Sequence, residues 1–243
     1  MLKVADPQGD EVGQGDLLRL LAGRGAVRLV ESAGHVMLVH RVLPGGPDLV
    51  EMALGGQDDA ATRVMIDLNL QIQAALHGAD LPALIPIDRW ASGAYGHGTN
   101  DRIPRDLRNF LVWGEGFVTE MLADRACWTA LHGDMHHRNA LHDGDLGWLA
   151  IDPKGISGPP LYDFANMVLN PLPHTGLVHD PVRMARQAAI IAESTGTRPD
   201  DVLRWACLQA LLGLCWSLWD DERAYWLAGA RLAGRLARLA LPD

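Results

Sequence analysis

Leu131-His132-Gly133-Asp134-Met135-His136-His137-Arg138-Asn139-Ala140-Leu141, continued by His142-Asp143-Gly144-Asp145-Leu146-Gly147 and Trp148-Leu149-Ala150-Ile151-Asp152, decides how the chain folds. Asp143-Gly144 between two apolar runs is a β-hairpin signal. Asp134 and Asn139 then precede or open the first strand, and Asp152 ends its partner. Hairpin pairing returns Asp152 toward Asn139, so three oxygen-bearing side chains converge without any long-range assumption.

Asp, then Asn five positions on, then Asp at the far end of a hairpin suits phosphoryl transfer from a nucleotide. One Asp orients an attacking hydroxyl and accepts its proton, while Asn and the second Asp hold Mg²⁺ on the phosphates. A small set of hard oxygen ligands fits Mg²⁺, which fills its other positions with phosphate oxygens and water. The five-residue step matches the kinase catalytic loop H-R-D-x-x-x-x-N, with Gly133 standing where that loop has Arg.

Upstream, Leu2–Val4 reads as a strand stub, and Leu17–Leu21 as a short helix closed by Gly23. The runs 26–30 and 36–39, separated by Ser32-Ala33-Gly34, predict a second hairpin. Leu43-Pro44-Gly45-Gly46-Pro47 is the strongest local breaker and the predicted lobe boundary, giving segments 1–46 and 47–243. Beyond it Ala61, Met65, Leu68, Ile72 and Leu76 recur at helical spacing after Asp58, a predicted cap, and Leu107, Leu111, Phe117 and Met121 mark another helix. The region 180–241 reads as further helices, with 206–219 in the core.

The 243 residues, 48% hydrophobic and 21% charged, predict a folded globule of one large domain or two lobes. A net charge of −9 argues against a dedicated nucleic-acid binder and favours small cations near clefts. Cys127, Cys207 and Cys215 form no C-x-x-C pair and read as buried small hydrophobes in a reducing compartment. No signal peptide or membrane span is visible, so the expectation is a cytoplasmic protein.

The catalytic-loop segment, together with Trp148-Leu-Ala-Ile-Asp-Pro-Lys-Gly155 and Gly158-Pro-Pro-Leu-Tyr-Asp-Phe-Ala-Asn-Met167, resembles the aminoglycoside and hydroxyurea resistance kinases, and among them the streptomycin 6-phosphotransferases. The resemblance runs from about Lys3 to near the C-terminus and is strongest over 131–171. It implies an α+β, protein-kinase-like fold, with a small, truncated β-rich nucleotide lobe and a mainly helical substrate lobe. It implies ATP and Mg²⁺ as cofactors, Asp134 as catalytic base, Asn139 and Asp152 as metal ligands, and His132 and Asp163 as supports of the loop. Lys3 falls where the family places the lysine that contacts the nucleotide phosphates, with Glu11 as its helix partner and Gln14 competing for that alignment. The implied partner is a small cationic antibiotic, for which Asp220, Asp221 and Glu222 supply carboxylates.

The pattern departs from the family in two places. Two further strands and a phosphate-covering loop normally precede the lysine, whereas here Lys3 is the third residue, which points to a truncated chain, a start placed too late, or a degenerate kinase. His40 stands where an acidic hinge residue is expected. Other readings of these residues stay open: a kinase remnant acting as a binding protein, or a zinc-dependent hydrolase built on His132, His136 and His137. Lys3 and the acidic run 220–222 also read as plain solvated charges, and Trp205, Trp216 and Trp219 as core.

Overall fold

The computed structural model describes residues 1–5, 13–43, 45–79 and 84–242. Two units are resolved, Met1–Pro86 with Cys127–Met167, and Ile87–Ala126 with Val168–Asp243.

In the first unit β1 (Leu2–Val4), α1 (Gln14–Leu21), β2 (Leu29–Ala33) and β3 (Val36–Val39) come first. The strands form an antiparallel sheet in the order β1-β3-β2, with Lys3 opposite Met37. The usual alternation is inverted in β1: Leu2 and Val4 are exposed and Lys3 is half-buried. The predicted run 26–30 is divided. Val27 N–H donates to the Ala150 carbonyl at 2.9 Å and Ala150 N–H to that of Gly25 at 3.0 Å, so this piece leaves the hairpin, and only Leu29–Ala33 pairs with β3. Ala26 and Val27 are buried whereas Val30 is exposed, so the apolar half of the run is drawn onto the inner strand.

Next come α2 (Leu49–Met52), α3 (Asp58–Leu76) and β4 (Ile85–Pro86). Asp48, not Asp58, caps this helical stretch, accepting from Val50 N–H at 2.7 Å and Glu51 N–H at 3.1 Å. Such a cap contributes about 1 kcal/mol. Asp58 sits inside because the chain is already helical from Leu49 and passes through a wide turn, Ala53–Gln57, before α3. Ala61, Met65, Leu68, Ile72 and Leu76 are all buried, as their spacing predicts. The unit is completed by β5 (Thr129–Leu131), β6 (Ala140–Asp143), β7 (Gly147–Ala150) and β8 (Ile156–Gly158). β6 and β7 are the predicted Asp143-Gly144 hairpin, and β8 lies between β4 and β5.

The second unit is helical. It holds a short helix at Ile87–Trp90 and a long one at Arg105–Met121, then three more at Pro181–Thr195, Pro199–Trp216 and Arg223–Leu236. The helix Pro199–Trp216 carries an almost unbroken buried run from Val202 to Leu214 and packs on both of its sequence neighbours. Among the described residues no helix is long and apolar enough to cross a membrane. Three expectations fail here or nearby. Trp216 and Trp219 are 46% and 64% exposed because the helix ends at Trp216, beyond the buried run, while Trp205 is buried as predicted. Cys127 is exposed, in the segment leading to β5.

Candidate functional site

The loop after β5 is shaped by backbone demands. Gly133 has φ 83°, a left-handed conformation that side chains rarely adopt, and a Cβ there meets Ile156 Cγ1 at 2.9 Å. The N–H groups of His132 and Gly133 then both point at one carboxylate: Asp163 Oδ2 accepts from His132 at 2.8 Å and Oδ1 from Gly133 at 2.7 Å. Asp163 is buried, and its own carbonyl accepts from Asn69 of α3 at 3.0 Å. Burial pushes its carboxyl up to about 7 against the pull of the two N–H donors.

His132 locks the loop from the inside. Its Nε2 bonds the Ile151 carbonyl at 2.9 Å and its Nδ1 accepts from Asp134 N–H at 3.2 Å, so the neutral ring carries its proton on Nε2. Burial lowers its pKa to about 4. Both ring nitrogens are therefore committed, and His132 has no lone pair for zinc. Among the described residues no group of three or more His, Cys, Asp or Glu could hold a metal ion.

The Asp134 carboxylate is left facing outward from this brace. Asn166 Nδ2 donates to Oδ1 at 2.9 Å, and His136 Nε2 lies 3.7 Å from the same oxygen. Burial raises the Asp134 carboxyl above the usual range, opposed by the charges of His136 and Lys154 and by the two Asn side chains. Asn139 reaches back across the loop, Nδ2 donating to the Asp134 carbonyl at 2.8 Å, so the amide nitrogen is the atom that bonds the loop. Ile151 N–H donates to the Asn139 carbonyl at 2.9 Å, so Asp152 follows one residue beyond the paired position. Asp152 has φ 54°, a strained setting for a residue with a side chain, of the kind that collects at functional sites. Its Oδ1 accepts from Lys3 Nζ at 3.0 Å.

Lys3 and Asp152 share a cavity of about 320 Å³ with Gln14, the apolar side chains Val27, Val39 and Leu141, and the segment His40–Val42. Its apolar walls and few polar groups suit a flat ring carrying a charged tail. Asp143 fastens that segment to the hairpin turn, accepting from Leu43 N–H at 2.9 Å and from the N–H groups of Asp145 and Leu146, with His40 Nε2 at 3.3 Å. The Leu43 N–H, then that of Asp145, hold its carboxyl down at about 2. Thus His40 finds its carboxylate on the hairpin rather than replacing one in the hinge.

Residues 1–221 match the family described as aminoglycoside/hydroxyurea antibiotic resistance kinase. The chain belongs to this family. It is 34% identical over 236 residues to a streptomycin 3''-kinase from Klebsiella pneumoniae, covering 96% of this chain and 85% of that one. Among solved structures it resembles a choline/ethanolamine kinase family protein from Mesorhizobium loti (TM-score 0.62, 17% identity, 98% and 81% of the two chains). It also resembles the GDP complex of an aminoglycoside 2'-phosphotransferase-IIIa (TM-score 0.53, 15% identity, 96% and 82%). At these identities the structures establish the α+β, protein-kinase-like fold.

In this resistance-kinase chain Lys3, His132, Asp134, Asn139, Asp152 and Asp163 all lie in the first unit. Glu11 lies outside the described residues. Asp220, Asp221 and Glu222 are exposed in the second unit, where Asp220 Oδ1 accepts from Glu222 N–H at 3.0 Å and Glu222 Oε2 from Trp226 Nε1 at 3.2 Å. Sequence reasoning gave no role to Asn166 and only a hairpin turn to Asp143. Asn166 sits three residues after Asp163, one helical turn on, and that spacing was the available signal.

The donor set fits Mg²⁺. Asn139 Oδ1 and the Asp152 carboxylate are hard oxygens, and Asp152 already holds a cation, the Lys3 ammonium.

Proposed function

We propose that this family member transfers the γ-phosphoryl group of ATP to an alcohol hydroxyl of a small cationic antibiotic, with streptomycin as acceptor and its 6-hydroxyl as the site. The observation that carries the reading is the Asp134 carboxylate, held by Asn166 and backed by a loop whose backbone is tied down at His132 and Gly133. Asp134 orients the acceptor hydroxyl and takes its proton, an effect worth roughly 10²- to 10⁴-fold. Raised by burial above the usual carboxylate range, it is a better base than a free carboxylate.

Lys3 binds nucleotide phosphates, and the cavity bounded by Val27, Val39 and Leu141 takes the base against the segment His40–Val42. Asn139 and Asp152 would hold Mg²⁺, which when bound would supply positive charge to the nucleotide phosphates. In this reading residues 1–46 belong to the nucleotide lobe and 47–243 carry the catalytic loop and the acceptor site. Asp220, Asp221 and Glu222 receive the cationic groups of the antibiotic. Phosphorylation adds bulk and negative charge to a drug that binds as a cation. The 34% identity to a streptomycin 3''-kinase favours a second reading, transfer to the 3''-hydroxyl.

Incubation with ATP, Mg²⁺ and streptomycin, followed by mass spectrometry and ³¹P–¹H correlation of the product, tests both. Phosphate at position 6 supports the first reading and phosphate at 3'' the second. Nucleotide binding without any product indicates a catalytically impaired binding protein and overturns both.

A further inference from the structure

A second cavity, of about 380 Å³, lies wholly within the first unit. Its floor is formed by Ala26 and Leu149, both buried, and its lip by Leu146, which is 60% exposed. His40 lines both this cavity and that of Lys3 and Asp152, so one imidazole is a wall of each.

The ionisable side chains that line the second cavity are Arg28 and His40, both basic. His40 N–H donates to the Arg28 carbonyl at 2.9 Å, which carries the Leu29–Val39 pairing of β2 with β3 one residue further. The two are therefore cross-strand neighbours on one side of the ribbon. The Arg28 guanidinium has no hydrogen bond or ion pair among the described residues. His40 engages Asp143 through Nε2 at 3.3 Å, which leaves Nδ1.

The nearby sources of negative charge are already engaged. Asp143 accepts from the N–H groups of Leu43, Asp145 and Leu146. The carbonyls that end α1 are covered by Arg24, whose guanidinium donates to those of Leu20 and Leu21 at 3.0 and 3.1 Å. In a chain of net charge −9, this apolar hollow carries only cationic groups on its walls. Such local focusing favours an anion where the surface as a whole repels one.

We propose that this cavity is a second ligand site, taking a small organic carboxylate with an apolar body. Arg28 offers the carboxylate two parallel N–H donors, the geometry to which a guanidinium is suited. The apolar body covers Ala26 and Leu149 beneath Leu146. A bare inorganic anion leaves the apolar floor unused, and an uncharged molecule of the same shape desolvates Arg28 without pairing it. Both parts of the ligand are thus needed. None of Lys3, Asp134, Asn139 or Asp152 lines this cavity, so the proposal stands or falls apart from the kinase reading.

The test is titration calorimetry of the full chain with 2-naphthoate, 2-naphthylmethanol and acetate. Wild type is expected to bind 2-naphthoate with a Kd below about 1 mM, the range for a ligand of that size. The alcohol, which has the body without the charge, and acetate, which has the charge without the body, are each expected to bind at least about tenfold more weakly. Lys3 and its apolar cavity also suit an aryl carboxylate, so variants locate the ligand. Arg28→Met is expected to weaken 2-naphthoate by at least about tenfold, and Lys3→Met to leave it within about twofold of wild type. Leu146→Glu sets a like charge at the lip and is expected to cost about tenfold as well. Arg28 and Leu146 are exposed, so both variants are expected to melt with wild type, and should one not fold the other decides. No binding to wild type, equal binding of the acid and the alcohol, or wild-type affinity in Arg28→Met or Leu146→Glu overturns the proposal. A loss in Lys3→Met alone places the ligand in the other cavity and overturns it too.

Discussion

Lys3 Nζ lies 3.0 Å from Asp152 Oδ1, joining side chains 149 positions apart. The lysine is 19% exposed and the aspartate 44%, so water screens the pair, and it contributes at most about 1 kcal/mol to stability. Its meaning lies in placement: a cation and a carboxylate meet at the polar end of an apolar cavity.

Lys3→Met separates these two roles. Urea unfolding is expected to show a loss below about 1 kcal/mol. Nucleotide affinity is expected to fall by at least tenfold, since a charge-assisted contact to phosphate is lost. A large loss of stability with unchanged affinity contradicts the assignment.

Asn166→Ala removes the 2.9 Å bond to Asp134 Oδ1. That bond is one of the influences holding the Asp134 carboxyl down against burial, after the charges of His136 and Lys154. Its loss raises the carboxyl further. The acid limb of the kcat/KM profile is therefore expected to move to higher pH, with a drop of about tenfold in rate on the acid side. Steady-state rates across the pH range check this, and an unmoved limb counts against Asp134 as the base.

Asp163 and His132 give stability opposite pH slopes. The folded Asp163 carboxyl is raised to about 7 from 3.8, so between those values the folded state keeps a proton that the unfolded chain has released, and stability falls as pH rises. The folded His132 is lowered to about 4 from 6.5, so over that window the unfolded chain holds the extra proton and stability rises with pH. His136, also lowered by burial, adds to the second slope. His132→Gln is expected to make stability fall more steeply with pH than in wild type, and Asp163→Asn to make it rise more steeply. Denaturation series from pH 4 to 7 measure both, and slopes that change in the same direction refute a protonated Asp163 and a neutral His132 in the folded state.

The parts of the site that sequence made legible are those fixed by local rules. Asp143-Gly144 sets the hairpin, the hairpin pairs Ile151 with Asn139, and the catalytic loop follows from that register. The spacing of Ala61 to Leu76 likewise survives in α3, because a buried stripe at helical period has one solution. What was not legible depends on distant partners. Asp143 reads as a turn residue, yet it also binds Leu43 N–H from 100 positions away and so shapes the hinge segment. The run 26–30 reads as one strand but is split by competition between β3 and the Ala150 backbone. Trp216 and Trp219 look like core until the helix end is located.

The most direct test is transfer of labelled γ-phosphate from ATP to streptomycin by wild-type protein and by Asp134→Asn, in single turnovers with nucleotide binding measured alongside. The account predicts that the variant binds nucleotide within about threefold of wild type and transfers phosphate roughly 10²- to 10⁴-fold more slowly. Transfer by Asp134→Asn at the wild-type rate contradicts it.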